Sequence, residues 1–228
     1  MRITTSAILA IGLSLVLWHG IHMPIHSQAA PTADMAADEG LAQLPDLVTS
    51  DTAKGLGFTS MSEASTATVD KAFPLKTYTV DLNALRKFKR GDDAEKLLLD
   101  RDIIIYPIKV GERVRSSMTV SRLRDGTWDV TGWGAPGFIG ELIDLEIPEP
   151  KNKDIFVVVW IPELNLYFLG ERQQDGKLLL SSINSRPGLE LEKHVWRRAP
   201  DVFQQLSKLL PTAKPRKPSS SVKPREPE

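Results

Sequence analysis

The chain has 228 residues, 41% hydrophobic and 25% charged, with 29 lysines and arginines balanced by 29 acids. That composition suits one folded domain with polar ends. There is no cysteine, which excludes disulfides, thiolate metal sites, cysteine nucleophiles and lipid attachment at cysteine.

Charge is spread unevenly. Residues 30–71 carry seven acids and two lysines, net −5, whereas residues 211–228 carry five bases and two acids, net +3. Residues 72–210 hold 20 acids and 21 bases. A basic character confined to a short tail predicts no nucleic-acid partner.

In chain order, Arg2 precedes an apolar run from Ala7 to Trp18, and Ser27-Gln28-Ala29 offers small residues before a cleavage point. This reads as a signal peptide over residues 1–29. The run is shorter than the roughly 20 residues of a membrane span. The expectation is an exported protein, periplasmic or secreted, with no transmembrane segment after processing near Ala29; a retained anchor is the alternative. Residues 30–54 are rich in Ala, Asp and Thr and lack aromatics, so they read as a disordered acidic tether. A single α+β domain is expected over residues 55–210, beginning with a short helix before Ala72. Five prolines and three consecutive serines in residues 211–228 predict an extended, disordered tail.

Within the domain, Leu75 to Val80 reads as a strand, and Asp81 as the N-cap of a helix carrying Leu82, Leu85 and Phe88. Gly91 ends that helix, and Asp92 with Glu95 suggests a capping box for a second. Residues 103–134 read as three antiparallel strands. Ile104, Tyr106, Ile108 and Val110 share one face at a period of two, as do Met118 and Val120. Asp125-Gly126 predicts a type I′ turn, which sets Ser117 opposite Gly134 and Arg115 opposite Pro136. Pro107 predicts an edge or a bulge.

Pro136 then starts a helix striped by Phe138, Ile139, Leu142 and Leu145. Ile155 to Ile161 is apolar on both faces, as in a central strand. Leu164 to Leu169, a second turn at Asp175-Gly176, and Lys177 to Ile183 follow. A last helix runs from Pro200 through Val202, Phe203, Leu206 and Leu210. The fold expected is α+β: a mostly antiparallel curved sheet built from two βββα units, with helices packed on one face.

The stretches FPLKTYTVDLNALRKFKRGDD, IYPIKVGERVRSSMTVSRLRDGTWDVTGWG and IPELNLYFLGERQQDGKL resemble a group of uncharacterised exported bacterial proteins. The hairpin with its Asp-Gly turn and following helix is similar to cystatin-like and PepSY-type modules, in which a sheet curls over a helix. That similarity implies a binding or inhibitory role. The Gln-Val-Val-Ala-Gly type of inhibitory loop is absent.

Chemistry-bearing residues are few. Histidines stand at 19, 22, 26 and 194, and processing would leave His194 alone, expected on the surface. Ser116-Ser117 and Ser181-Ser182 lack a nucleophile-elbow glycine pattern and read as sheet residues. Glu141, Asp144, Glu146 and Glu149 read as a solvated helix face, with a carboxylate-dependent hydrolase as a remote reading. The most unusual composition is Gly132-Trp133-Gly134-Ala135-Pro136-Gly137, which runs into a helix start where free N–H groups can hold an anion. The expected binding site is therefore Trp133, Gly134 and Gly137, with Arg115 and Ser117 as neighbours, for an acidic or carboxylate-bearing partner. No catalytic residue, metal ligand or cofactor is expected. The function read from sequence is an exported, non-catalytic binding module whose partner is another exported protein or a cell-envelope component. An inhibitor or accessory factor of another exported protein is the alternative.

Overall fold

Residues 32–134, 136–143, 155–184, 189 and 191–210 are described by a computed structural model, and all belong to one compact unit, Pro31–Glu228. The expected signal peptide, the proline-rich tail, Leu145 and the carboxylates Asp144, Glu146 and Glu149 lie outside the described residues.

The first element is a helix where a disordered tether was expected. Helix α1 spans Ala33–Leu47, capped by the Thr32 hydroxyl, which accepts from the Met35 N–H. Its buried residues are Ala33, Ala36, Ala37, Gly40 and Leu44, spaced as one face of a helix. Val48 and Ala53, beyond its end, are buried as well. Composition misleads here because the large apolar groups come from the surface it covers: Tyr106, Ile108, Met118 and Val120, flanked by Val130 and Trp133. Small residues let the helix backbone approach that surface closely. A Cβ built on Gly40 would lie 2.3 Å from Val130 Cγ2. The Tyr106 hydroxyl donates to Asp34 at 2.6 Å, and Lys71 pairs with Asp38 at 2.5 Å, pinning the helix at two further points.

A short helix α2, Met61–Ala64, and strand β1, Ala67–Val69, follow. Strand β2, Leu75–Val80, leads into the single turn α3, Leu82–Leu85, where the Asp81 carboxylate accepts from the Asn83 and Ala84 N–H groups. Asp93, rather than Asp92, caps the next turn, a 3₁₀ helix at Ala94–Leu97, and the chain passes at once into strand β3, Leu98–Val110. Strands β4, Arg113–Arg122, and β5, Trp128–Trp133, complete the antiparallel trio. Pro107 pairs with Ser117 across β4, and its carbonyl accepts from Asp70 on the other side, between the ends of β1 and β2. Its missing N–H thus falls in a gap between two partner strands, where no ladder bond is needed.

Helix α4 spans Pro136–Ile143. Strand β6, Phe156–Ile161, runs parallel to β2 and antiparallel to β7, Leu166–Arg172. Strand β8, Leu178–Ser182, then pairs with a short strand absent from the sequence reading, β9, Trp196–Arg198, which leads directly into α5, Ala199–Leu209. The result is an α+β fold with one open, nine-stranded, mostly antiparallel sheet, ordered β5-β4-β3-β2-β6-β7-β8-β9, with β1 beside β2 on the edge of β3. No helix among the described residues is long and apolar enough to cross a membrane.

The helices do not share one face. Alternation along β6 sends Val157, Val159 and Ile161 to the core under α5, and Phe156 and Val158 to the core that holds Ile139 and Leu142 of α4. Along β3, Tyr106 and Ile108 turn to α1 and Ile105 to the α4 side. Since neighbouring pairs such as Leu75–Ile105 lie on one face, α1 and α5 cover one side and α4 the other. A sheet apolar on both faces must be covered twice.

Both Asp-Gly turns differ from type I′ in the same way. Gly126 donates to the Leu123 carbonyl and Gly176 to that of Gln173, at 3.0 and 2.9 Å. Positive φ falls on Gly126 and Gly176 alone, at 88° and 78°. Each is a type I turn followed by a left-handed glycine, the three-residue hairpin loop. Asp125 and Asp175 each accept a hydrogen bond from the backbone two residues on, which favours this form.

Candidate functional site

The residues expected to form a site go to different places. Ser117 and Gly134 are paired: Gly134 donates to the Ser117 carbonyl at 2.9 Å, and the Ser117 hydroxyl donates back to the Gly134 carbonyl. Trp133 pairs with Met118 and packs under α1, on the opposite face from Ser117. Gly134 is buried with φ 96°, and a Cβ there would meet the Gly55 carbonyl at 3.4 Å. Gly137 lies in the first turn of α4. Arg115 is the extra residue of a bulge in β4, between the pairs Ile108–Ser116 and Lys109–Val114. Its Nε sits 2.9 Å from the Glu63 carboxylate, without hydrogen-bond geometry. The Thr59 hydroxyl, Thr59 N–H and Arg115 together hold the Glu63 carboxyl below its ordinary value, the Thr59 hydroxyl contributing most. The register expected near Trp133 is observed, but a bulge at Thr131 shifts the hairpin end by one residue, giving Val120–Val130 and Arg122–Trp128.

What the fold does assemble is a groove of about 480 Å³ on the α4 face. Ser117 and Thr119 alternate with Met118 and Val120 along β4, so their side chains point to this face, and Ile105 stands across from Thr119. Phe138 and Glu141 enter from α4, and Tyr167, Ile183 and Asn184 from the far half of the sheet. The β2–β6 pairing is what joins the two halves.

The lining is held from behind. Tyr167 stacks on Trp160 at 5.6 Å with the rings 6° from parallel, and Phe138 meets it edge-on at 5.7 Å. Burial pushes the Tyr167 phenol above its ordinary value, so it stays protonated and polar. The Asn184 side chain accepts from the Tyr167 N–H at 2.8 Å and donates to the Asn165 carbonyl at 2.6 Å. Asn165, at the turn before β7, is left-handed with φ 49°.

Glu141 lies at the rim, 2.5 Å from Lys193 Nζ and 3.0 Å from His194 Nε2. The Lys193 ammonium is the main reason its carboxyl lies below the ordinary range; partial burial opposes the shift, and His194 adds to it. His194 is half-buried with φ 61°, and its N–H donates to the Ser182 carbonyl at 3.1 Å. Its sequence neighbourhood suggests a plain surface histidine, but its place is set by Glu141, 53 residues away.

Sequence reasoning singled out Ser117 and noticed Glu141, but not Phe138, Thr119, Tyr167 or Asn184 as partners. Each looks like an ordinary strand or helix residue in its own segment, and no spacing links them. Among the described residues no group of three or more His, Asp or Glu could hold a metal ion, and no serine or threonine hydroxyl hydrogen-bonds His194. Fold and groove together define an α+β sheet domain with a preformed pocket between its halves. No protein-family model matches the chain, and no curated protein or solved structure matches it either.

Proposed function

We propose that this chain is an exported, non-catalytic binding module that takes a small ligand in the groove between β4, α4 and β7. One observation carries the reading: a concavity of about 480 Å³, within the range of about 300–1,000 Å³ usual for ligand pockets. Its walls are aromatic and aliphatic with a few fixed polar groups. The non-catalytic part rests on chemistry, since Glu141 is neutralised by its neighbours and, among the described residues, no second carboxylate lines the groove. The export part rests on the Arg2, apolar-run and Ala29 pattern. The reading also keeps two βββα units as the plan of the sheet, supported by the matching turns at Gly126 and Gly176.

Thr119→Trp would fill the groove. Thermal-shift screening of a small-compound library should give ligands that raise the melting temperature of the parent and not of the filled variant. If every ligand acts on both alike, the groove is not the binding site. Intact-mass analysis of protein recovered outside the cytoplasm should show a chain beginning at Ala30; a retained Met1 would remove the export claim.

A further inference from the structure

We infer that the ligand of this groove is a neutral saccharide; the inference rests on the binding reading above and narrows it. Charge comes first. Among the described residues the lining has one carboxylate, Glu141, which already has Lys193 and His194 against it, and no cation. A charged ligand lying against these residues would lose hydration without gaining a counter-ion from them. The ligand is therefore uncharged.

A purely apolar ligand is disfavoured by the other half of the lining. Ser117, Thr119, Glu141 and Asn184 place hydroxyl, carboxylate and amide groups along the groove, and an apolar occupant would strip them of water without replacing its hydrogen bonds. Two of these groups are fixed before any ligand arrives. Glu141 is held by Lys193 and His194, and Asn184 by the Tyr167 N–H and the Asn165 carbonyl. Each still has capacity to spare: a carboxylate offers about four lone-pair sites and a side-chain amide two donors. A rigid acceptor and a rigid donor match neighbouring hydroxyls on a ring, and pre-ordering them lowers the cost of binding.

The third element is the aromatic wall. Tyr167 is backed by Trp160 and braced by Phe138, a stiff surface on which the C–H face of a sugar ring can lie. Neutral, rich in hydroxyls and apolar on one face: that combination describes a saccharide.

The test uses the full chain and titration calorimetry with neutral oligosaccharides of β-1,4-glucose, α-1,4-glucose and N-acetylglucosamine. Polygalacturonate serves as the anionic comparison and oleate as the apolar one. At least one neutral oligosaccharide should bind, Tyr167→Ala should weaken it by about tenfold or more, and Thr119→Val should weaken it severalfold while circular dichroism stays unchanged. If Tyr167→Ala does not fold, Tyr167→Phe and Thr119→Val carry the comparison, with Thr119→Val expected to be the weaker binder. Preference for polygalacturonate would overturn the charge argument. Oleate binding that Thr119→Trp abolishes, with no saccharide bound at millimolar concentration, would leave the groove a binding site and sink the saccharide. If neither saccharide nor oleate binds, the saccharide inference falls, while the binding reading stands or falls on the library screen against Thr119→Trp.

Discussion

Two glycine-to-alanine changes should affect stability differently. Gly40 lies inside α1 and Gly140 inside α4. In an exposed helix interior, alanine is better than glycine by about 0.8–1.0 kcal/mol. At Gly140 nothing lies within 4 Å of an added Cβ, so Gly140→Ala should gain roughly 0.5–1 kcal/mol. At Gly40 the new methyl would sit 2.3 Å from Val130 Cγ2 and 3.1 Å from Met118 Sδ, well inside the roughly 3.5–4.0 Å separation of atoms in contact. Val130 is branched at Cβ and cannot swing its methyl aside cheaply, so α1 must lift. Overpacking of this kind costs about 1–3 kcal/mol, which offsets or exceeds the propensity gain of about 0.8–1.0 kcal/mol and leaves Gly40→Ala between neutral and about 2 kcal/mol destabilised. Urea denaturation followed by circular dichroism reads both differences as midpoint shifts at constant slope. If Gly40→Ala stabilises as much as Gly140→Ala, α1 is not packed on β5, and the tether expected from composition is the better description.

Tyr106→Phe should cost about 1.5–3 kcal/mol, the worth of a hydrogen bond to a charged acceptor, because it removes the bond to Asp34. Burial and Asp34 raise the Tyr106 phenol far above its ordinary value of 10.0. The folded chain therefore keeps a proton that the unfolded chain gives up, and stability should fall as pH rises above about 10, a slope that Tyr106→Phe reduces. Glu63 has the opposite sign: its lowered carboxyl contributes stability above its ordinary value of 4.5 that is lost as pH falls through the lower folded value. Glu63→Gln should flatten that acid limb in denaturation measured against pH. Gly126→Ala and Gly176→Ala, at φ 88° and 78°, should each lower stability by about 1–2 kcal/mol without changing the denaturant slope.

The strands were legible because their signal is local. The alternation of Ile104, Tyr106, Ile108 and Val110, and the doubly apolar Phe156–Ile161, follow from a period of two and from burial on one face or both. Asp81 caps a helical turn as expected, though that turn ends at Leu85 and not at Gly91, and the Asp-Gly pairs marked both hairpins, although the turn form depended on the glycine following a type I turn. Helix α1 was half-legible. The spacing of residues 33, 36, 37, 40 and 44 is helical, but alanines and a glycine bury little by themselves, and their value comes from the aromatic and branched residues of β3, β4 and β5 above which they lie. Only the tertiary structure decided the site. Phe138, Tyr167 and Asn184 meet Ser117 and Thr119 because β2 and β6 pair in parallel across the middle of the sheet. A parallel pair carries no turn signature and links segments 81 residues apart, as at Lys76–Val157 and Thr77–Val158. The Glu141–His194 contact depends on the same closure. Periodicity reports which side of an element is buried; which element buries it is settled only when the whole sheet closes over its cores.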